Sequence, residues 1–423
     1  MKKSILLVAP VLTRSGYGEQ SRFALRALRS REDLFDIHII PLQWGKTSWI
    51  NDDTDERRWI DHTIEKTINY IQQGGTMDVS LQVTIPNEWE NRATINIGYT
   101  AGIETTKVAS NWIEKGNQMD KIIVVSNHSK EVYKKTAYEV ATEEQEGDQP
   151  QAIMQLLTDV TAVNYPVKQH DNLEEVELDL DYDFNFVCMA QLGPRKNVIN
   201  TIKWFVEEFR NEEVGLVLKT NMAKNSSMDR EYVYTQITGL LNTEYSDRKC
   251  KVYLLHGDMS DEEIHAIYAH PKIKASVLLS HGEGFGLPLF EAAYSGIPTV
   301  ATGWSGQLDF LCDENRKDRF YNVSFDLNHI PEQVVWENVL IKESMWAYPR
   351  EISAKEQMRL CYNDIINNTK DSFAAGALQY ADELKLRFEE QKMYKAFVDA
   401  LGLDMGEFDV ESWLGSLDIQ EIE

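Results

Sequence analysis

The stretch from Ala275 to Thr302 constrains the fold most. Ala275–Leu279 is a short apolar run. Then come His281-Gly-Glu-Gly-Phe-Gly-Leu-Pro-Leu-Phe-Glu291, a small-residue turn at Ser295-Gly-Ile-Pro, and a second apolar run at Thr299–Thr302. Continuous apolar runs of this length are the mark of strands buried on both faces. A glycine-rich loop, a proline at the start of an apolar helical pattern and a return strand make a strand–loop–helix–strand unit. Such a unit needs a parallel sheet covered by helices. The loop is also chemically specific. Gly284 and Gly286 let the backbone approach a ligand closely. The unpaired N–H groups around Gly286 and Leu287, at a helix start, form an anion site. Glu283 projects from the loop, and Glu291 sits about one helical turn beyond it.

Alternation of strand and helix signals repeats along the chain. In the first half, strands are expected at Ile5–Ala9, Phe35–Pro41, Ala93–Tyr99 and Lys121–Ser126, with helices at Glu19–Arg29, Asp61–Gln72 and Trp112–Met119. In the second half, strands are expected at Phe184–Met189, Val214–Lys219, Lys251–His256, Ala275–Leu279 and Thr299–Thr302. The helices between them are Val198–Phe209, Tyr232–Leu241, Asp261–Tyr268 and Leu287–Ser295. This is the pattern of two doubly wound sheets. With 423 residues the chain exceeds the roughly 250–300 at which one core stops growing. Tyr165-Pro166 and the acidic run Asp171–Asp183 interrupt the alternation and place the linker at 169–183. A helical tail is expected from Ser353 to Trp413.

A formal net charge of -25 argues against a broad nucleic-acid-binding face. Four cysteines, at 188, 250, 312 and 361, form no Cys-x-x-Cys pair, so reduced thiols in a cytoplasmic protein are expected and structural zinc is not. The first apolar run is too short for a signal peptide and reads as a first buried strand. No run approaches the roughly 18–20 apolar residues that span a bilayer. Asp179-Leu-Asp181-Tyr-Asp183 has the Asp-x-Asp spacing of a divalent-metal site, but in an acidic linker it reads as a solvated face.

Three further loops follow expected strands. Gly16-Tyr17-Gly18 lets a backbone approach a phosphate or a sugar. The lack of a third glycine and of a placed acidic residue argues against a dinucleotide cofactor. Arg195 and Lys196 follow the first strand of the second half, and Lys219 ends the next. Cations at these strand ends are placed to neutralise an anion in the cleft of a doubly wound sheet.

The string from Glu283 to Ala301 resembles the Glu-x7-Glu motif of retaining GT-B glycosyltransferases, in particular family four, also called glycosyl transferases group one. The resemblance covers most of the chain and is strongest from Asp183 to Asp309. It implies two Rossmann-like domains facing a cleft, an acceptor domain at 1–168 and a donor domain at 184–370. It also implies that helices within 371–423 cross back onto the first domain. The implied donor is a nucleotide-diphosphate sugar, with no cofactor and no metal, and the acceptor is a hydroxyl compound. Glu283, Lys196 and Arg195 are the implied catalytic residues. Glu291 would hold the ribose. Lys219, Gly284, Phe285, Gly286, Leu287 and Gly16 would line the donor, and His256-Gly257 would form the base-binding turn. The family's arginine just after the strand is replaced here by Met189-Ala190-Gln191, which leaves Arg195 and Lys219 as the candidate partners of Lys196. On the acceptor side the family's usual histidine gives way to Gly-Ile-Glu104-Thr105. Glu104 and Thr105 would take over its contact, with Tyr17 and His128 nearby. The segment at Ser80–Trp89 and the Gly16 and Glu104 loops also look like phage-encoded members, some of which glycosylate hydroxymethylated DNA bases. That acceptor, a sugar-nucleotide epimerase, a phosphorylase of the same fold and a catalytically silent binding protein are the alternatives.

Overall fold

A computed structural model describes residues 2–45, 47–140, 152–170, 173 and 175–403. The first domain carries strands β1 (Lys3–Ala9), β2 (Phe35–Pro41), β3 (Val79–Val83), β4 (Ile95–Thr100) and β5 (Lys121–Val124). Its helices are α1 (Gly16–Arg29), α2 (Asp55–Gln72), α3 (Ser110–Gly116) and α4 (Asn127–Lys135). An antiparallel hairpin of β6 (Ala137–Val140) and β7 (Ala152–Gln155) precedes β8 (Val160–Ala162). The six-stranded parallel sheet runs β2-β1-β3-β4-β5-β8. Strand order therefore reverses between β1 and β3.

Strands β9 (Asn185–Met189), β10 (Gly215–Lys219), β11 (Lys251–Leu255), β12 (Ile273–Leu278), β13 (Thr299–Thr302) and β14 (Tyr321–Val323) build the second sheet. Its order is β11-β10-β9-β12-β13-β14, again parallel. Between them run α5 (Val198–Phe209), α6 (Ser227–Glu244), α7 (Asp261–Ala269), α8 (Leu287–Tyr294) and the short α9 (Leu308–Leu311). Here the order reverses between β9 and β12. In open sheets of this kind the crevice at the reversal, at the strand C-termini, is where ligands bind. The loops leaving β9 and β12 are those of Arg195-Lys196 and Glu283.

Local chemistry fixes the helix starts at both crevices. Ser15 caps α1, its hydroxyl accepting from the Gly18 N–H at 3.0 Å. Gly286 adopts the left-handed conformation, φ 97°, as α8 begins, and Pro288 follows within the first turn. Ser260 and Glu263 form a reciprocal capping box on α7.

A second antiparallel hairpin, β15 (Phe325–His329) and β16 (Met345–Pro349), was not expected. It reaches across to the first domain. Thr106 N donates to Met345 O at 3.2 Å, Met345 N donates to Thr106 Oγ1 at 3.0 Å, and Asn87 donates to Asn338 O at 3.0 Å.

The expected helical tail is three helices, α10 (Glu351–Ile366), α11 (Phe373–Arg387) and α12 (Glu390–Ala400), while 404–423, with Trp413, lie outside the described residues. Packing divides them. Gly296 at the end of α8 approaches Leu378 of α11, so α11 stays on the second domain. The crossing is made by α12, whose Phe397 packs on Phe23 at 5.3 Å and Tyr99 at 5.1 Å. Two facing Rossmann-like domains with a returning C-terminal helix are the GT-B arrangement that the resemblance implied. In the connection, where 171, 172 and 174 are not described, Asp181 is tied to Lys251 and accepts from Tyr253 at 3.2 Å on the surface.

Candidate active site

Glu283 is the centre of the site. It follows β12, is only 4% exposed, and its backbone N–H donates to Ser305 Oγ at 2.9 Å. Lys196 Nζ reaches both of its carboxylate oxygens, at 2.6 and 2.8 Å. Arg195 Nη1 bonds the Gly282 carbonyl at 2.7 Å and Glu283 Oε2 at 3.1 Å. Burial pushes the Glu283 carboxyl up, but Lys196 and then Arg195 more than offset it and hold the group below its ordinary value. One buried carboxylate thus carries two cations, and the trio keeps a net positive charge.

The first domain closes on this trio. Glu104, in the loop after β4, places Oε1 3.4 Å from Arg195 Nη2. Glycines make the close approach possible. A Cβ at Gly284 would stand 2.0 Å from Ala101 O, and one at Gly282 would stand 2.3 Å from Glu104 O. Asp309 adds a second tie, accepting from Asn127 N at 2.8 Å and Asn164 Nδ2 at 2.9 Å. Arg195 is therefore the cation that joins Lys196. Lys219 stands apart and bonds the Gly257 carbonyl at 2.5 Å.

Glu291 faces a different set of charges. Lys168 bridges Glu19 of α1, at 3.0 Å, and Asp261 of α7, at 2.6 Å. Burial lifts the Glu291 carboxyl to about 8; Lys168 opposes the rise, while Asp261 and Glu19 add to it. The first turn of α1 and the helix after the Gly284-Phe285-Gly286 turn thus meet at one polar cluster. Among the described residues, no protein acceptor takes the N–H groups of Gly284, Phe285, Gly286 or Leu287.

Several expected residues sit differently. Phe285, placed at the donor by resemblance, turns its ring into the core against Tyr165, Phe290 and Phe310. An apolar ring gains more there than at a polar crevice, so only its backbone faces the site. His256 gives its Nε2 to Asp229 at 2.9 Å, and Asp229 also accepts from the N–H groups of Met222, Ala223 and Lys224. That ring is committed to structure; the turn retains Gly257, at φ 131°. Thr105 is buried and donates to the Lys107 carbonyl at 2.9 Å, so its hydroxyl serves its own turn. Tyr17 bonds Thr100 Oγ1 at 2.7 Å and packs on Trp44. His128 lies edge-on to Trp304 at 4.8 Å, with Nε2 buried and unpartnered among the described residues. Burial lowers its pKa to about 4, so the ring is neutral. Gly16, at the start of α1, has open space around it.

Sequence reasoning missed Ser305, Gln307 and Asp309. Ser305 sits at φ 76° and donates to Gln307 Oε1 at 2.9 Å, and Gln307 Nε2 holds Thr302 O at 3.0 Å. The available signal was Gly-Trp-Ser-Gly directly after a buried strand, a small-residue turn at a strand C-terminus.

Comparison with known proteins adds three findings. Residues 175–321 match the family model described as Glycosyl transferases group 1, a span that holds Arg195, Lys196, Lys219, Glu283 and Glu291. None of the curated proteins compared matches the sequence. Among solved structures, the fold is similar to HepE of Anabaena in complex with UDP and glucose (12% identity, 95% of this chain, 99% of that chain, TM-score 0.56). It is similar too to a glycosyltransferase of Rickettsia africae (11%, 95% and 99%, 0.56) and to sucrose-phosphate synthase of Thermosynechococcus elongatus (13%, 98% and 100%, 0.54).

Proposed function

We propose that this protein transfers a sugar from a nucleotide-diphosphate sugar to an acceptor hydroxyl, with retention of anomeric configuration. The observation that carries the reading is the buried Glu283 held by Lys196 and Arg195 at the strand-order reversal, inside the segment that matches the group 1 glycosyltransferase family model. The donor belongs to 184–370 and the acceptor to 1–168, joined through 169–183.

In this reading the diphosphate lies at the start of α8, on the free N–H groups of the Gly286 turn. Lys196 and Arg195, already partly desolvated, are drawn from Glu283 toward the leaving phosphate and stabilise its charge. Glu283, released, orients the sugar's hydroxyls and faces the positive charge that develops at the anomeric carbon. The acceptor oxygen bonds to that carbon on the face from which the carbon–phosphate oxygen bond breaks. The departing phosphate oxygen takes the acceptor proton, so no separate base is needed. Glu291 binds the ribose hydroxyls. Glu104 positions Arg195 from the acceptor side. Catalysis rests on positioning and charge stabilisation supplied by the chain's own cations.

Replacing Glu283 by Gln keeps the shape and removes the charge. Turnover is expected to fall about 10²-fold while nucleoside diphosphate affinity stays near that of the native protein. Native turnover in Glu283→Gln would remove Glu283 from the reaction.

A further inference from the structure

A cavity of about 420 Å³ lies beside the Arg195-Lys196 loop. Pro194 and Asn200 border it on one side and Tyr232 and Gln236 of α6 on another, over His281 and Trp346. His281 and Trp346 are buried, with rings 5.7 Å apart and nearly parallel, and Tyr232 is half-exposed at the mouth. No Asp, Glu, Lys or Arg side chain lines it.

His281 Nδ1 is bonded to Ala347 O at 3.0 Å and Asn197 Nδ2 to Leu279 O at 3.1 Å, but other polar groups of the lining are unspent. Trp346 Nε1 is buried and has no hydrogen-bond partner among the described residues. A buried donor without an acceptor is costly, and a ligand oxygen admitted beside the ring would relieve that cost. Asn200 donates to Asn197 Oδ1 at 2.7 Å, which leaves its own carbonyl oxygen available. The Gln236 amide makes no protein hydrogen bond among the described residues. The half-exposed Tyr232 ring with amides around it, and no charge, suits a neutral ring that is apolar on its faces and hydroxylated at its edge. The volume admits about one or two such rings. The lining offers a phosphate or carboxylate no cation.

The cavity also shares backbone with the proposed reaction centre. His281 N donates to Arg195 O at 2.8 Å, and His281 O accepts from Ala347 N at 2.9 Å, two residues before Glu283. The β15–β16 hairpin supplies Trp346 and also holds the first domain through Met345.

We infer that this cavity is a second saccharide site, built by the second domain, which takes through Trp346, Tyr232 and Gln236 a neutral sugar unit of the acceptor remote from the reacting hydroxyl held by the first domain. Only the word acceptor rests on the transferase reading; the saccharide chemistry stands on the cavity.

The test is retention of the full chain on an array of neutral and anionic glycans, with and without a saturating panel of nucleotide sugars. Nucleoside diphosphate affinity is measured on the same samples. Binding to neutral glycans, undisturbed by nucleotide sugars, is expected. Tyr232→Ala and Gln236→Ala, both at the exposed mouth, should each weaken it about tenfold and leave nucleoside diphosphate affinity unchanged. Trp346→Phe, which keeps the ring and removes the N–H, should do the same. Absence of any retained neutral glycan, retention equal to wild type in all three variants, or displacement by nucleotide sugars would each overturn the inference. Glycan binding without any nucleoside diphosphate binding would uphold the saccharide site and refute the transferase reading.

Discussion

Gly284→Ala tests domain closure against a known distance. The added Cβ would lie 2.0 Å from the Ala101 carbonyl oxygen, whereas close carbon–oxygen contacts between backbones sit at about 3.3–3.6 Å. The loop and the first domain must therefore part by roughly 1.3 Å. Ala101 O is backbone immediately after β4, and cannot swing aside as a side chain would. Parting the domains would lengthen the Glu104–Arg195 contact and the Asp309 ties together. Displacement of reacting groups by about 1 Å can cost on the order of 10²-fold in rate. Neither sheet is altered and the Gly284 N–H is kept, so nucleoside diphosphate binding to the second domain should weaken far less than turnover falls. The assay is nucleoside diphosphate release at saturating donor, with affinity measured by calorimetry and domain separation by small-angle scattering. Turnover within about twofold of wild type would refute the claim that the closed contact is the working geometry.

Gly16→Ala is the matched control. Nothing lies within 4 Å of the added Cβ, so folding should be intact or slightly improved, and any loss of turnover would report a bound ligand at that backbone; unchanged kinetics would take Gly16 out of the donor site. Lys196→Ala should weaken nucleoside diphosphate binding by about 10- to 100-fold and free nucleoside hardly at all, and equal losses in titrations of the two would contradict a phosphate role. Glu291 has its folded pKa, about 8, above the ordinary 4.5, because of burial first. The folded state thus binds the extra proton, and the group's stabilisation is complete below about pH 4.5 and disappears as pH rises through about 8. Scanning fluorimetry of Glu291→Gln should show a shallower fall in melting temperature across that window, and parallel curves would show that Glu291 titrates normally.

Local pattern carried the sequence reading furthest where one strand or helix announces itself. Val198–Phe209 and Thr299–Thr302 have the observed bounds, because an amphipathic helix and a buried parallel strand are legible without knowing their neighbours. Strand β3 was missed because it is polar at Ser80 and Gln82. Those side chains are satisfied only by partners brought in by the fold, Asn96 at 2.8 Å and Glu90 O at 2.6 Å. The β15–β16 hairpin was missed for a similar reason; its pairing and its hold on Thr106 are long-range. At the site, Arg195, Lys196 and Glu283 were legible as loop residues at strand ends. That all three share one ion cluster with Glu104 was not, since their meeting depends on two sheets and an interdomain contact. Phe285 and His256 mark the opposite limit, where a motif names a position but packing decides which way the side chain turns.

The most direct measurement is release of nucleoside diphosphate from a panel of nucleotide sugars, followed by proton NMR of the anomeric signal of the product. The account predicts release by the native protein, its loss in Lys196→Ala and Glu283→Gln, and a product with the donor's anomeric configuration. Native protein that releases nucleoside diphosphate from none of them, or a product of inverted configuration, would contradict it.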